Sequence, residues 1–198
     1  MNNEFDAVIL ANGSFPTAEL PLALLRRAPY VCACDGAIIH YPKADAVVGD
    51  GDSVPEVYRD KLIQVTEQED NDLTKATRHC IGLGFRHIAY LGCTGCREDH
   101  TLGNISLMVR YMRDFGIKPI MITDYGLFTP AQGRVTFASF PRQQVSIFNF
   151  GFTHIQSNGL RYQPYAYEQW WQGTLNEAIA DSFTLDTDGY YLVYQTYK

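Results

Sequence analysis

No stretch of the chain approaches the roughly 20 consecutive apolar residues that cross a bilayer. The opening Met-Asn-Asn-Glu-Phe-Asp has neither the basic nor the apolar region of a secretory signal. The expectation is a cytoplasmic protein. Low-complexity tracts, Pro/Gly/Ser-rich linkers and internal repeats are also missing, which excludes disordered, fibrous and solenoid classes. Charge is scarce and leans acidic, at 19% charged residues and a net charge of −6. Such a chain lacks the basic surface that holds nucleic acid or anionic membrane, but it can still take a nucleotide through a divalent cation. The cysteines number five, an odd count without an export signal, and so read as free thiols. Cys93-x-x-Cys96 is joined by no second such pair and no paired histidines, so a structural zinc would want for ligands. It also does not open a helix after the first strand, as a thioredoxin-like site would. These cysteines read as small residues where two backbones approach closely. No Walker motif and no GxGxxG is present.

What is present is an ordinary globular composition, 46% hydrophobic over 198 residues, enough for one domain or two small ones burying roughly 70% of the unfolded surface. Residues 5–11 form a β-prone run broken by Asn12-Gly13, followed by a helix-compatible segment over 18–27. Residues 30–34 and 46–49 are short apolar strands, each ending in a small residue followed by aspartate: Asp35-Gly36 and Asp50-Gly51-Asp52. Leu73, Ala76, Cys80 and Ile81 keep helical spacing over 72–82, with Asn71 or Asp72 as the N-cap. A strand over 87–91 leads through a Gly/Cys loop to a helix whose stripe is Leu102, Ile105, Met108, Val109 and Met112. Alternating strands and helices imply a largely parallel sheet. After a strand over 119–123 the period falls to two, in 135–137, 145–149, 183–185 and 190–194, with turns at Asn158-Gly159 and Asp188-Gly189. Of the 26 aromatic residues, 15 lie beyond Gly133. The expectation is therefore an α/β domain over 1–130 and a small all-β sandwich over 131–198, with the boundary near 125–132.

The chemistry-bearing residues sit at strand ends, where open α/β sheets bind ligands. Asp50 and Asp52 point to one side if strand geometry persists, and two such close carboxylates call for a proton or a cation such as Mg²⁺. The alternative is an Asp-Gly turn with Ser53 capping the next helix. Asp72 and Lys75, one turn apart, can offer a carboxylate and an ammonium to one ligand; the bland reading is a cap and a surface ion pair. Residues 91–100 form a glycine-bearing loop feeding a helix whose free N–H groups favour anions, with His100 and Asn104 facing the loop.

The ordered set Cys34-Asp35-Gly36-Ala37, Gly49-Asp50-Gly51-Asp52-Ser53, Asn71-Asp72-Leu73-Thr74-Lys75-Ala76 and Gly95-Cys96-Arg97-Glu98-Asp99-His100-Thr101-Leu102-Gly103-Asn104 resembles the thiamine pyrophosphokinase family. Asn158-Gly159-Leu160-Arg161-Tyr162 and Gly173-Thr174-Leu175-Asn176-Glu177 extend the likeness over nearly the full chain. The resemblance implies a Rossmann-like α/β ATP-binding domain followed by a thiamine-binding β-sandwich that also serves dimerisation. It implies a homodimer with thiamine between subunits, and transfer of the diphosphoryl group of Mg·ATP to the thiamine hydroxyl, leaving AMP. It makes Asp50, Asp52, Asp72 and Asp99 catalytic, Mg²⁺-holding carboxylates. Asp35, Gly36, Lys75, Arg97, His100 and Asn104 become ATP and phosphate contacts; Gln68, Tyr162, Leu175 and Asn176 become substrate contacts. Tyr162 stands where the family has a stacking tryptophan, Leu175 where it has a serine, and Cys34 and Cys96 where it has a small residue and a glycine. Two alternatives stay open: the same fold acting on another alcohol, and a non-catalytic nucleotide or thiamine sensor.

Overall fold

Parallel strands buried on both faces read as short, continuous apolar runs, and the N-terminal half of this computed structural model, which describes residues 5–197, follows that rule. Strands β1 (Ala7–Leu10), β2 (Val31–Cys34) and β3 (Ala46–Gly49) are buried at every position. Helix α1 (Glu19–Arg27) follows β1, and the short edge strand β4 (Leu62–Gln64) follows β3. Helix α2 (Asp72–Gly82) then leads to β5 (His87–Leu91), and α3 (Glu98–Phe115) to β6 (Lys118–Ile122). Gly116, at φ 65°, ends α3 as a left-handed cap.

The remaining strands are β7 (Gly126–Gln132), β8 (Val135–Ala138), β9 (Gln144–Asn149), β10 (Ile155–Asn158), β11 (Asn176–Glu177), β12 (Ser182–Thr187) and β13 (Tyr190–Thr196). One ten-stranded sheet runs β11-β9-β13-β7-β6-β5-β1-β2-β3-β4, parallel from β6 to β4 and antiparallel from β6 to β11. A three-stranded antiparallel sheet, β10-β12-β8, forms the second layer of the C-terminal half.

Side chains of β1 alternate between two cores, Ala7 and Ile9 on the α2/α3 side and Val8 and Leu10 on the α1 side. A third core fills the space between the two C-terminal sheets, around Phe137, Ile147, Phe183, Leu185 and Tyr191. Strand β13 joins two cores, because Tyr191 and Val193 face the sandwich while Leu192 faces the α3 side. Residues 125–132, expected as the boundary, hold β7, the strand at which the parallel and antiparallel parts of the sheet meet.

The chain lays down β1 to β4 outward in one direction and then returns through α2 to place β5 on the other side of β1. That reversal opens a crevice beyond the carboxyl ends of β1 and β5, which is where such sheets take ligands. Among the described residues, no helix is long and apolar enough to cross a membrane.

Candidate active site

A cleft of about 640 Å³ occupies this crevice, lined by the loops after β1, β2, β3 and β5 and by the first turns of α2 and α3. The loops after β1 and β5 interlock through backbone bonds, Gly13 N to Gly92 O at 2.8 Å and Ser14 N to Thr94 O at 2.9 Å. A Cβ on Gly13 would stand 2.5 Å from Gly92 O, so only glycine allows the approach. Gly95 and Cys96 follow one another in the left-handed region, at φ 76° and 61°. Cys96 therefore holds a left-handed backbone that glycine would adopt without steric cost.

Asp35 is buried, and its carboxylate accepts N–H bonds from Gly51 (3.1 Å) and Ser53 (3.0 Å). The strand preceding Asp50 stops at Gly49, and Gly51 turns at φ 88°. Asp50 and Asp52 therefore do not share a side: Asp50 lines the cleft, while Asp52 is exposed and donates its N–H to Asp50 Oδ1 at 3.1 Å.

Asn71 caps α2, its Oδ1 accepting from Thr74 N at 3.0 Å and Thr74 Oγ1 at 2.8 Å. That cap sets Asp72 and Lys75 on the cleft wall, with Lys75 Nζ 3.4 Å from Asp72 Oδ1. Burial pushes the Asp72 carboxyl up; Lys75 opposes the shift, and Asp35 and Asp50 add to it. Asp35 and Asp50 thus both disfavour the ionised form of Asp72, a repulsion that a cation in the cleft would relieve.

Asn104 donates to Cys93 O at 2.9 Å and accepts from Asn71 Nδ2 at 3.4 Å, bridging the β5 loop to the α2 cap. It also lines the cleft. Arg97 and His100 line the cleft, whereas Asp99 lies outside the lining and pairs with Arg97 at 2.6 Å, which lowers its carboxyl below the ordinary value. Gly36 is buried beside Ser53 and Asn12, also outside the lining. Gln68 faces the cleft, as does Asp70, which Arg78 and Arg110 hold at 2.8 and 3.0 Å. Asp70, Asn12 and Ser53 line the cleft as well, and no sequence motif marks them for it. The partners of Asp70 lie 8 and 40 residues away, beyond any local pattern.

The other substrate candidates gather on the sandwich. Tyr162 is 58% exposed with the Arg161 guanidinium 5.7 Å from its ring centroid. Leu175 is 70% exposed and sits at φ 63°. Asn176 is buried and spends its amide on Tyr162, accepting from its N–H at 3.1 Å and donating to its carbonyl at 2.8 Å. Five strand spacings separate β11, which holds Asn176, from β5, which feeds the cleft; along the sheet that is about 24 Å.

Among the described residues, no three His, Cys, Asp or Glu side chains gather as a ready-made metal site. A Mg²⁺ that travels with phosphates needs only one or two protein carboxylates, and Asp50 and Asp72 both line the cleft. An open α/β sheet with an acidic, lysine-bearing cleft at its switch point and a glycine-lined loop before a helix defines a phosphoryl-group transferase.

Comparison with known proteins narrows this class. Residues 22–121 match the family description "Thiamin pyrophosphokinase, catalytic domain" and residues 126–194 match "Thiamin pyrophosphokinase, substrate-binding domain". The chain belongs to the thiamin pyrophosphokinase family, and it carries that family's thiamine diphosphokinase activity. No curated protein gives a match. Among solved structures, the thiamine pyrophosphokinase of Bacillus subtilis is 17% identical, with a TM-score of 0.77 over 96% of this chain and 98% of that one. A thiamin pyrophosphokinase family protein of Enterococcus faecalis is 19% identical, with a TM-score of 0.79 over 97% and 99%. Yeast thiamin pyrophosphokinase is 14% identical, with a TM-score of 0.78 over 99% and 88%. At these identities the structures establish the shared fold.

Proposed function

We propose that the cleft binds Mg·ATP, and that the α/β part over 1–130 handles the nucleotide while 131–198 binds thiamine and pairs two copies as a homodimer. Lys75 and Arg97, with His100 and the N–H groups at the start of α3, meet the triphosphate. Asp50 and Asp72 hold Mg²⁺, which when bound neutralises charge spreading over the phosphate oxygens. Asp52 and Asp99 stay outside this set. Asp35 and Asn104 also line the cleft, and their part is to hold its loops, Asp35 through the Gly51 and Ser53 N–H groups and Asn104 through Cys93 O and the Asn71 amide.

The thiamine hydroxyl oxygen forms a bond to the β-phosphorus of ATP, the bond from that phosphorus to the α–β bridging oxygen breaks, and AMP leaves. The hydroxyl proton passes to solvent. The chain's part is alignment: the interlocked loops fix the phosphates, and Gln68 waits at the cleft for the alcohol. Thiamine itself stacks its cationic ring on Tyr162 and packs on Leu175, both positioned by Asn176. With about 24 Å of sheet between β11 and β5, a second copy brings its Tyr162 to the Gln68 of the first, a reading that this separation supports.

The observation that carries this reading is Lys75, a buried ammonium at the cleft wall that lies 3.4 Å from the Asp72 carboxylate, which Asp35 and Asp50 press in turn. Calorimetry with a non-hydrolysable ATP analogue tests it. Binding should tighten with Mg²⁺ and weaken at least about 10-fold in Lys75→Met. Binding indifferent both to Mg²⁺ and to Lys75 contradicts the reading.

A further inference from the structure

We infer that Asp35 is a positioning residue for the metal-bearing loop: its buried carboxylate folds residues 50–53 back on themselves, so that Asp50 faces the cleft and Asp52 faces away. The inference rests on the reading of Asp50 as a Mg²⁺ holder.

Four observations meet at this side chain. Asp35 is 8% exposed, and each carboxylate oxygen accepts from a different backbone N–H of the loop, Oδ1 from Gly51 and Oδ2 from Ser53. Its own backbone stands at φ 39°, a left-handed conformation that a non-glycine residue keeps only where the surroundings over-determine it. Gly49 leaves the space the carboxylate occupies, since a Cβ there would lie 2.8 Å from Asp35 Cβ and 3.0 Å from Oδ1. Gly51, at φ 88°, makes the reversal that brings its N–H to Asp35. The neighbouring atoms complete the loop's fixation: Gln64 Nε2 donates to Asp50 O at 2.8 Å, and Asp52 N to Asp50 Oδ1 at 3.1 Å.

A carboxylate is the one side chain of this size that accepts at both ends. In Asp35→Asn one oxygen keeps one N–H, and the new NH₂ confronts the other N–H, donor against donor. Asp35 lines the cleft, but both of its carboxylate oxygens are engaged by the loop, and two predictions follow from that geometry. The Gly51 and Ser53 amides should be protected from hydrogen exchange in the metal-free, nucleotide-free wild type and should lose that protection in Asp35→Asn. Gly49→Ala, which keeps every charge and only displaces the carboxylate, should reproduce the defect.

The experiment is amide exchange by NMR on wild type, Asp35→Asn and Gly49→Ala, followed by the Mg²⁺ concentration for half-maximal activity and the KM for thiamine. We expect exchange at Gly51 and Ser53 to rise at least about 10-fold in both variants while the β13 amides stay protected. Half-saturating Mg²⁺ should rise by about 10- to 100-fold, as for a misplacement on the scale of an ångström, with KM for thiamine little changed. Unprotected amides in the folded wild type, or unaltered exchange in Asp35→Asn, overturn the clamp, and the wild-type measurement decides even if a variant does not fold. Faster exchange with unchanged Mg²⁺ dependence would uphold the contacts but reject the positioning role, and with it the assignment of Asp50.

Discussion

Lys75 Nζ and Asp72 Oδ1 lie 3.4 Å apart in two different environments: the lysine side chain is 3% exposed and the aspartate 37%. Removing either partner therefore has unequal consequences. Asp72→Ala strands an ammonium in the protein interior, whereas Lys75→Met leaves a carboxylate that water reaches and fills the lysine's space with an apolar stem. We predict a loss of about 3 kcal/mol for Asp72→Ala and about 1 kcal/mol or less for Lys75→Met in urea unfolding. Equal losses would mean that Lys75 finds other partners once Asp72 is gone. Both variants should lose activity by orders of magnitude.

The turn at Asp188-Gly189 carries a pH signature. The Thr153 hydroxyl, with the backbone N–H groups of His154 and Thr153, holds the Asp188 carboxyl down to about 2, from the ordinary 3.8. A lowered pKa means that the fold favours the ionised form. The contribution is complete above the ordinary value and disappears as pH falls through about 2. Asp188→Asn should melt a few degrees below wild type at pH 7, and the gap should close between pH 4 and 2. A gap that is constant to pH 2 would show that the aspartate's charge plays no part.

Much of this architecture is legible in the sequence where local signals are strong and agree. Helix α2 has the expected span of 72–82 because Asn71 caps it and its apolar spacing is regular. Strand β5 has the expected span of 87–91, an apolar run with clear breaks on both sides. Of the strands that escape such reading, two do so for opposite reasons. β4 is three residues long and largely exposed, so it carries no pattern. β7 is central, yet its sequence Gly-Leu-Phe-Thr-Pro-Ala-Gln includes a glycine and a proline that argue against a strand; pairing with β6 and β13 overrides them. Within the cleft, the motifs at 35, 50, 72, 75, 97 and 100 come together as expected in kind. What the sequence cannot convey is which atoms are already engaged. Asp35, Asn104 and Asn176 read as ligand contacts, and their polar atoms are also engaged by protein groups, in Asn104 by Cys93 O and the Asn71 amide and in the other two by backbone. Asp52 turns away because Gly51 adopts positive φ, which the residue type permits without requiring it.

Tyr162 offers a test of the thiamine pocket that leaves the nucleotide aside. Its exposed ring, beside Arg161, faces away from the three cores. Tyr162→Ala should weaken thiamine binding by about 1–3 kcal/mol and Tyr162→Trp should keep or improve it. ATP-analogue affinity should stay within twofold or so, by calorimetry. If thiamine binds Tyr162→Ala as it does the wild type, the pocket lies elsewhere on the sandwich.

Two copies sharing a site predict complementation. Lys75→Met damages the cleft and Tyr162→Asp damages the thiamine face, and in a mixed dimer one of the two sites has both parts intact. Unfolding and refolding the two variants together, with thiamine limiting, should recover about a quarter of wild-type activity, since half the dimers are mixed and each has one good site. Activity no greater than the mean of the parents would place both groups in one chain's site.

The central claim is diphosphoryl transfer to thiamine, and its direct measurement is the product balance. Purified protein given Mg·ATP and thiamine should release AMP and form thiamine diphosphate in equal amounts, with neither product made when thiamine or Mg²⁺ is withheld, and Asp50→Asn should fall by orders of magnitude while keeping its circular dichroism spectrum. Release of ADP with thiamine monophosphate, or AMP formation that does not depend on thiamine, would contradict the account.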